Sequence, residues 1–351
     1  MGYSNQRVTI YDIAERLGLS PSTVNRAIND KSCINESTRE KVKKVALEMG
    51  YKTNKVAKSL TQKPIRIGFV MREAFLGFQN EVMEGAQAAC AQLLDYNVFG
   101  EFYIVKAEDV RRSLSEKMLE ISEMELDGII YNASSDTGME DTLSAIRDKG
   151  IVLATVTVDD LSDKVLFSVT ANARRAGRIA ADLLAHAGLG PGSEVGIFVG
   201  GKQHPLHREY LHGFDEMNKR TKFDVIKIIE HHDNANIAYF AAEQFFVEYP
   251  TVSGVYASTA VTVPICKRIK DAGLSGKIKL IGTDLTEEHI PFLEDGTIVA
   301  TLFQDPFQMG YKAFMKMYDY LSKNWESRRN IYINPEIVVR GNLDYYTRHM
   351  V

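Results

Sequence analysis

The sequence predicts two folded parts, a small all-α domain at the amino end and a larger α/β domain after it. Apolar residues recur at helical spacing in roughly the first fifty residues, whereas from Ile65 onward short apolar runs alternate with amphipathic stretches. Residues 1–63 contain 12 lysines and arginines against 6 acidic residues, a balance of +6, and the remainder carries −10. With 351 residues and 45% hydrophobic content, the chain is long enough for two or three lobes.

The composition argues against several classes of protein. The three cysteines, Cys33, Cys90 and Cys266, are odd in number and far apart, which disfavours a disulfide framework and a zinc knuckle. No apolar run approaches the length of a membrane span, and Met1 to Arg7 lacks the apolar core of a secretory signal. We therefore expect a cytoplasmic protein that does not bind membranes.

The first two helices are predicted from their caps. Thr9 is placed as the N-cap of the first helix, and Gly18 ends that helix. Ser20 then caps a second helix with Pro21 at its first position, where the missing N–H group costs nothing. The sharp bend between the two is typical of a helix-turn-helix.

The second helix combines a short apolar stripe with a polar outer side. Val24, Ala27 and Ile28 form the stripe. The polar side chains left facing outward are Ser22, Asn25, Arg26 and Asn29. A third helix is predicted from Glu36 to Met49 with basic residues outward. A structural three-helix bundle fits this pattern, but a polar second helix beside a basic third helix favours the major groove of DNA.

These stretches resemble a known family. "VTIYDIAERLGLSPSTVNRAIND" and "STREKVKKVALEMGYKTNKVAKSL" resemble the DNA-binding headpiece of LacI-type transcriptional regulators, the lactose repressor and purine repressor family, over about sixty residues. The resemblance implies that the second helix reads the major groove. The residues that it places at DNA are Thr9, Ser20, Pro21, Ser22, Thr23, Asn25, Arg26 and Asn29. Among them, Pro21, Ser22 and Arg26 correspond to base readers.

The remaining positions divide by role. Ser20, Thr23 and Asn29 correspond mainly to contacts with the DNA backbone. Pro21 departs from the family, because many members carry a larger or polar side chain there. Which base is read at that position therefore stays open, and contact with a thymine methyl group is as consistent as hydrogen bonding.

A basic segment follows the headpiece. "NKVAKSLTQK", residues 54 to 63, resembles the hinge helix of the family, which becomes ordered when two subunits bind the operator. The positions that carry this resemblance, and that it places at DNA, are Asn54, Val56, Ala57 and Leu60. Leu60 corresponds to a leucine that enters the minor groove and bends the operator. The alternative interpretation is a plain basic linker.

The remainder of the chain alternates between predicted strands and helices. The runs typical of buried parallel strands are "IRIGFVM", "DGIIYNAS", "IVLATVTV", "EVGIFVGG", "SGVYAST", "IKLIGTD" and "IVATLFQD". The predicted crossover helices are Glu81–Leu94, Asp109–Met124, Arg174–Ala187, Arg208–Lys219, Ile237–Tyr249 and Val261–Ala272. This alternation predicts an α/β architecture with parallel sheets.

This part resembles the type-1 periplasmic-binding-protein fold, with its best matches in "ANARRAGRIAADLL" and "LIGTDLTEEHIPFLEDGTIVATLFQDPFQMG". The predicted fold class is thus an all-α helix-turn-helix headpiece plus an α/β domain of that type with two sublobes. The predicted domains are residues 1–53 for the headpiece, 54–64 for the hinge and linker, and 65–351 for effector binding and dimerisation. One sublobe is expected to comprise about 65–160 with a segment near 285–305, and the other about 161–284 with 306–340.

The resemblance also implies a ligand site between the sublobes, at the carboxyl ends of the strands. The residues that correspond to ligand contacts are Phe78, Asp159, His207, Arg208, Ser258, Asp284 and Gln304. Carboxylates and amides pair with sugar hydroxyls, and an aromatic ring suits the apolar face of a sugar. Ser258 and Thr157 depart from the family pattern, and His207 beside Arg208 also suits a carboxylated or phosphorylated ligand. The effector is therefore predicted to be a small molecule, with a sugar or sugar derivative favoured.

Two motifs suggest other chemistry and are set aside. "GIFVGGKQ", residues 196–203, approaches a phosphate-binding loop, but its middle is needed as a strand and Gln203 stands where serine or threonine is required. The histidines at 204, 207 and 212 fit no spacing of metal ligands. No nucleophile elbow or supported carboxylate pair is present. We therefore expect no metal, no cofactor and no enzymatic activity.

The combined prediction is a transcriptional regulator, favoured to be a repressor, that acts in the cytoplasm on the nucleoid. Its expected partners are double-stranded operator DNA, a small-molecule effector and a second copy of the chain, in a homodimer or a tetramer. The alternative from another class is a solute-binding receptor of the same fold. Such a receptor would have no use for a DNA-binding headpiece.

Overall fold

The computed structural model describes residues 8–30, 32, 34–51, 63–73, 76–106, 110–132, 139–158, 163–259, 261–323 and 330–347. Internal contacts divide the chain into two compact units, Met1–Lys63 and Pro64–Val351. Among the helices described, none combines the length and the apolar character that a membrane crossing requires.

The amino-terminal unit contains three helices, α1 (Ile10–Leu17), α2 (Pro21–Ile28) and α3 (Glu36–Glu48). Thr9 caps α1 reciprocally with Asp12, because each residue's side chain accepts a hydrogen bond from the backbone N–H of the other. Gly18 then ends α1 in the left-handed conformation, with φ of 62°. Small and branched side chains from all three helices form one core: Ile13, Ala14, Val24, Ala27, Val42 and Ala46.

The large unit contains two six-stranded sheets. Its strands are β1 (Ile65–Arg72), β2 (Val98–Val105), β3 (Gly128–Tyr131), β4 (Val152–Val156), β5 (Phe167–Ala171), β6 (Glu194–Val199), β7 (Asp224–Glu230), β8 (Gly254–Ala257), β9 (Lys279–Thr283), β10 (Ile298–Phe303), β11 (Asn330–Ile333) and β12 (Glu336–Val338). The first sheet has the order β11-β5-β4-β3-β1-β2 and the second β12-β10-β9-β8-β6-β7. All pairings are parallel except that of β12 with β10.

Helices cover both faces of each sheet. They are α4 (Leu76–Leu93), α5 (Val110–Ile121), α6 (Glu140–Asp148), α7 (Ala173–His186), α8 (Pro205–Thr221), α9 (Ala235–Glu248), α10 (Thr262–Asp271), α11 (Ile290–Glu294), α12 (Pro306–Lys323) and α13 (Leu343–Thr347). In the first sublobe, α4 and α12 form one core with the sheet, and α5 and α6 form another. In the second, α7 and α8 cover one face and α9, α10 and α11 the other.

One close helix crossing occurs in each sublobe, and each is built from two glycines. A Cβ atom at Gly85 of α4 would overlap the carbonyl oxygen of Phe307, and one at Gly310 of α12 would overlap that of Val82. The second sublobe repeats this arrangement between α7 and α8. Because backbone meets backbone at both crossings, a side chain larger than hydrogen has no room there.

The same reciprocal contact defines the second crossing. A Cβ atom at Gly177 of α7 would overlap the carbonyl oxygen of Tyr210, and one at Gly213 of α8 would overlap that of Arg174. Both helix pairs therefore approach more closely than side-chain packing ordinarily allows.

The predicted division into sublobes was wrong for the returning segments. The segment near 285–305 belongs to the second sublobe, because β10 pairs in parallel with β9. Conversely, α12 packs on the first sheet, and β11 extends that sheet beside β5. The stretch 167–171 is also part of the first sheet rather than the second. Strands that follow one another along the chain are usually neighbours in a sheet, and β10 accordingly pairs with β9, the strand before it.

Several elements were absent from the predicted set. The strands β2 and β7 lie at sheet edges and are mostly half-exposed, so neither forms the continuous apolar run of a buried strand. The helix α12 and the short strands β11 and β12 were likewise not predicted as elements. Among the predicted helices, that starting at Glu81 begins five residues earlier, at Leu76.

Candidate functional site

Each unit contains a candidate site, and the amino-terminal one is the outer side of α2. Ser20 caps the helix by accepting a hydrogen bond from Thr23 N at 3.1 Å, and its hydroxyl also lies 2.8 Å from Thr23 Oγ1. Val24 and Ala27 are fully buried in the three-helix core. This packing fixes the rotation of α2. The exposed residues that follow from it are Pro21, Ser22, Asn25 and Arg26.

Two of the predicted DNA-contacting residues bind each other. The amide nitrogen of Asn29 donates to Asn25 O at 2.9 Å and to Asn25 Oδ1 at 2.7 Å. Asn29 is half-buried while Asn25 is exposed. Because the Asn25 side-chain oxygen is already used, the group that it presents to solvent is chiefly its NH₂ donor.

The charges around α2 are distributed unevenly. Within the described part of the chain, Arg26 forms no ion pair, so its guanidinium is available to a partner. On α3, Lys43 Nζ lies 2.6 Å from Asp30 Oδ1, and Arg39 pairs with Glu36 at 2.8 Å. The sequence predicted that the basic side chains of α3 face outward. Lys43 is exposed as expected, Arg39 is half-buried, and both pair with acidic residues of the same unit.

Five predicted site residues lie outside the described residues. They are Asn54, Val56, Ala57 and Leu60 of the segment that resembles a hinge, and Asp159 after β4. Their predicted roles stay predictions.

The second candidate site lies at the carboxyl ends of the strands in the large unit. Strands β6 to β10 are parallel, so their carboxyl ends meet at one edge of the second sheet. The polar residues immediately after these strands include His231, Asp233, Ser258, Thr259, Asp284, Gln304 and Asp305. On the first sublobe, the start of α4 approaches the same edge, since a Cβ atom at Gly77 would lie 3.4 Å from Thr286 Cγ2.

Asp284 and Gln304 are brought together as the sequence predicted. The Gln304 amide nitrogen donates to Asp284 Oδ1, and Tyr210 OH donates to Gln304 Oε1 at 2.9 Å. Thr301 Oγ1 donates to the backbone oxygen of Asp284 at 2.6 Å, which holds Asp284 in a left-handed conformation with φ of 69°. Burial raises the pKa of Asp284 to about 6, although the Gln304 hydrogen bond opposes this.

His207 lies on the buried side of α8 and is fixed as one tautomer. Gly200 N donates to His207 Nδ1 at 3.1 Å, so the neutral ring carries its proton on Nε2. That nitrogen lies 3.8 Å from Asp233 Oδ2. Burial lowers the pKa of His207 to about 4, which keeps the ring neutral near pH 7.

His231 after β7 is held in the same way. Asp233 N donates to His231 Nδ1 at 3.1 Å, and His231 Nε2 lies 3.2 Å from Thr259 Oγ1, to which it donates in the neutral form. Burial lowers its pKa to about 4 as well, even though the charge of Asp233 acts in the opposite direction. The edge of the sheet thus contains two neutral imidazoles beside one carboxylate.

Asp233 was missed by the sequence reasoning. It follows His232, and both adopt left-handed backbone conformations, with φ of 50° and 53°. Its carboxylate lies against Gly200, where a Cβ atom would approach Asp233 Oδ1 at 2.6 Å. The signal in the sequence is the polar run "HHDNAN", which follows β7 directly.

The other predicted effector residues are less central. Ser258 is fully buried, and its hydroxyl donates to Phe198 O at 3.1 Å, so it joins two strands. Phe78 on α4 is half-buried and packs against the core of the first sublobe. Arg208, next to His207, is exposed and pairs with no carboxylate of the described residues. These three residues therefore do not join the hydrogen-bonded cluster around Asp284.

Glu81 supplies a further carboxylate from the first sublobe. It lies on α4, one turn after Gly77 and one turn before Gly85. Partial burial, together with the charges of Asp284, Glu84 and Asp305, raises its pKa to about 7. Carboxylates from both sublobes therefore act on one another across the cleft.

The first sheet presents a different polar arrangement at its strand ends. Asn132, buried after β3, accepts a hydrogen bond from Arg72 N at 3.1 Å and donates to Thr157 Oγ1 at 3.3 Å. Thr157 has φ of 71°, again a left-handed residue at the end of a strand. Among the described residues, no group of three or more histidine, cysteine or acidic side chains is arranged to hold a metal ion.

Two family models match the chain. Residues 67–324 match the periplasmic binding protein domain, and residues 9–54 match the bacterial regulatory proteins of the lacI family. The first match covers most of the large unit, and the second covers the three helices of the amino-terminal unit.

Curated relatives include transcriptional regulators. The chain is 26% identical to the transcriptional repressor PurR of Vibrio vulnificus over 354 residues, which cover 95% of this chain and 98% of that protein. It is 34% identical to the transcriptional regulator RegA of Clostridium saccharobutylicum over 167 residues, 44% of this chain and 48% of that protein. The latter match therefore spans about half of the relative.

Solved structures share the fold of the large unit. The glucose-galactose binding protein GanP of Geobacillus stearothermophilus superposes with a TM-score of 0.72 at 22% identity, over 80% of this chain and 99% of that one. A structure described as a LacI transcriptional regulator from Bacteroides fragilis superposes with a TM-score of 0.67 at 18% identity. The match covers 81% of this chain and 100% of that one. Likeness at this level of identity shows the fold alone.

Proposed function

We propose that this chain, which belongs to the LacI family of bacterial regulatory proteins and carries a periplasmic binding protein domain, is a repressor whose affinity for operator DNA is set by a small molecule. The proposal needs no catalytic group and no cofactor. It places the protein in the cytoplasm, where its operator is.

The outer side of α2 is the observation that carries the DNA-binding half of the proposal. Ser20 and the buried Val24 and Ala27 fix the helix, so that Arg26 and the NH₂ group of Asn25 point away from the core. Guanidinium and amide groups on a helix of this size match the donor and acceptor pattern of the major groove. The excess of positive charge in residues 1–63 favours a polyanionic partner.

The cleft of the large unit supports the effector half. Polar groups from several strands converge at one edge of the second sheet, and the left-handed residues Asp284 and Asp233 lie there, as is common at ligand sites. A sugar or sugar derivative is the favoured class, because carboxylate, amide and imidazole groups pair with hydroxyls. The solved glucose-galactose binding protein, and a solved solute-binding protein of Burkholderia graminis in complex with D-arabinose, support the same class.

The two halves are coupled in the proposal through residues 54–63. A ligand that closes the two sublobes changes how two subunits of a homodimer present these segments to the operator. Two symmetric headpieces then require an operator with two-fold symmetry. The effector acts as an inducer or as a corepressor according to which arrangement it stabilises.

Substitution of Arg26 tests the DNA-binding half. If Arg26 reads a base, Arg26→Ala costs roughly 1–3 kcal/mol at the preferred sequence and relaxes the preference at that base pair. Affinity for a selected duplex and for its single-base variants, measured by fluorescence anisotropy, gives both quantities. Lys44→Ala on α3 is the matched control, since loss of an exposed lysine weakens all duplexes alike. An equal loss on every duplex for Arg26→Ala would show that Arg26 contacts phosphate only.

A solute-binding receptor is the second candidate function. The solved solute-binding proteins, which match about 80% of the chain, favour it. Such a receptor binds the small molecule without any effect of DNA. A ligand whose affinity does not change when saturating operator duplex is added would support the receptor over the repressor, because binding at coupled sites is reciprocal.

A further inference from the structure

Four carboxylates of the cleft form no ion pair with a lysine or arginine among the described residues. Asp233, Asp284 and Asp305 follow strands of the second sheet, and Glu81 faces them from α4. The titratable side chains beside Asp233 are His207, with Nε2 at 3.8 Å, and His231, with Nδ1 at 3.9 Å.

Neither histidine supplies the missing positive charge. Each accepts a backbone N–H at Nδ1, from Gly200 for His207 and from Asp233 for His231. A protonated imidazole would place a second hydrogen against each of these N–H groups. Both rings are therefore neutral donors, and they leave the negative charge of Asp233 uncompensated.

Asp284 is enclosed, yet one of its oxygens is unoccupied. Only 7% of the residue is exposed. Its Oδ1 accepts a hydrogen bond from Gln304, whereas its other oxygen accepts none from the described residues. A buried carboxylate in this state is costly unless a donor or a positive charge completes it.

Asp233 and Asp284 are connected by a continuous row of side chains in the cleft. Asp233 lies beside the His207 ring, whose centroid is 6.4 Å from that of Tyr210. Tyr210 OH donates to Gln304, which in turn donates to Asp284. The negative charge of Asp233 also acts on Asp284 and raises its pKa. A single small molecule that contacts this row of side chains therefore experiences the charges of both Asp233 and Asp284.

We infer that the effector carries a protonated amine, held by Asp284 with Asp233 as the second carboxylate. The inference rests on the proposed function, because it concerns the occupant of the same cleft. An ammonium group supplies the donor that Asp284 lacks and a charge-assisted hydrogen bond to a carboxylate. A carboxylate or phosphate group placed at Asp233 and Asp284 would instead meet like charges.

Matched sets of sugars test the inference on the full-length protein. Each set contains an amino sugar, its N-acetyl derivative and its parent hydroxyl sugar: D-glucosamine, D-galactosamine and D-mannosamine with their partners. Calorimetric titration at pH 7 is expected to show at least one amine that binds about tenfold more tightly than both of its partners. Its affinity is expected to fall as salt rises, because the contact is ionic.

Variants of Asp233 and Asp284 locate the contact. Asp233→Asn and Asp284→Asn are each expected to reduce the preference for the amine to less than about threefold. Asp224→Asn, exposed at the opposite end of β7, is the matched control and is expected to leave the preference unchanged. Because Asp233 is partly exposed, its variant tests the contact independently of any effect of Asp284→Asn on stability.

The inference is overturned if no amine binds, if a neutral or anionic partner binds as tightly, or if both variants keep the preference. The proposed function fails separately, in a measurement without any sugar, if the protein shows no sequence preference on duplex DNA. A protein that binds operator DNA and prefers a neutral sugar would therefore contradict only the charge of the effector.

Discussion

The two sublobes of the large unit share one frame but differ at their strand ends. Each has a six-stranded sheet with helices on both faces, and in each a pair of glycines lets two helices cross at backbone contact. The first sublobe ends its strands with the neutral pair Asn132 and Thr157. The second ends them with two buried histidines and Asp284, the only acidic residue that is buried in the described part of the chain.

This difference separates what builds the fold from what recognises a ligand. The glycine crossings and the apolar strands are common to both sublobes, so we assign them to the maintenance of the fold. The buried His207, His231 and Asp284 belong to the second sublobe, where folding must bury them at a cost in stability. Groups that are kept despite such a cost are candidates for function.

The largest effect is expected from substitutions at the glycine crossings that both sublobes share. Gly310→Ala in the first sublobe and Gly213→Ala in the second each force a methyl group into a carbonyl oxygen of the facing helix. Each variant is expected to lower the free energy of unfolding by roughly 3 kcal/mol or more, measured by urea denaturation.

Gly341→Ala is the control, because nothing lies within 4 Å of the added Cβ atom and its backbone is not left-handed. A loss of less than about 1 kcal/mol at either crossing would show that the helices can separate freely, and that the glycines are not what both sublobes share.

A smaller effect is expected from Asp284→Asn, which tests the charge that distinguishes the second sublobe from the first. The folded-state pKa of Asp284, about 6, lies above its ordinary value of 3.8. Between these values the folded protein binds more protons than the unfolded chain, so Asp284 lowers the free energy of unfolding as pH rises from about 4 to about 6. Asp284→Asn removes this loss and is expected to stabilise the large unit by roughly 2 kcal/mol at pH 7.

Urea denaturation at pH 4.5 and at pH 7 checks this expectation. The gain in the Asp284→Asn variant should be much smaller at pH 4.5, and Asp224→Asn should match the unsubstituted protein at both values. An equal change at both pH values would mean that the amide acts through packing or hydrogen bonding, and not through removal of a charge.

The sequence predicted local structure better than long-range pairing. The helices α1 and α2 begin at the predicted caps, because Thr9 and Ser20 each accept a hydrogen bond from an N–H group three residues on. The helix α3 begins at the predicted Glu36, and Asn35 caps it in the same way. The place of β10 and α12 depends on which sheet receives each of them, and no local pattern records that choice. Their predicted sublobes were therefore wrong.

The site was predictable in part for the same reason. Asp284 and Gln304 end strands that read clearly as apolar runs, so their meeting at one edge follows from parallel pairing. Asp233 follows the edge strand β7, which is only partly buried and did not read as a strand. The tautomers of His207 and His231 depend on backbone N–H groups that only the fold brings to them.

Binding to random duplex DNA at several salt concentrations tests the central claim most directly. If residues 1–63 form a DNA-binding headpiece, the logarithm of the affinity falls linearly with the logarithm of the salt concentration. A headpiece with several phosphate contacts should lose at least about tenfold between 50 and 200 mM salt. No binding at low salt, or an affinity that does not change with salt, would contradict the assignment as a DNA-binding regulator.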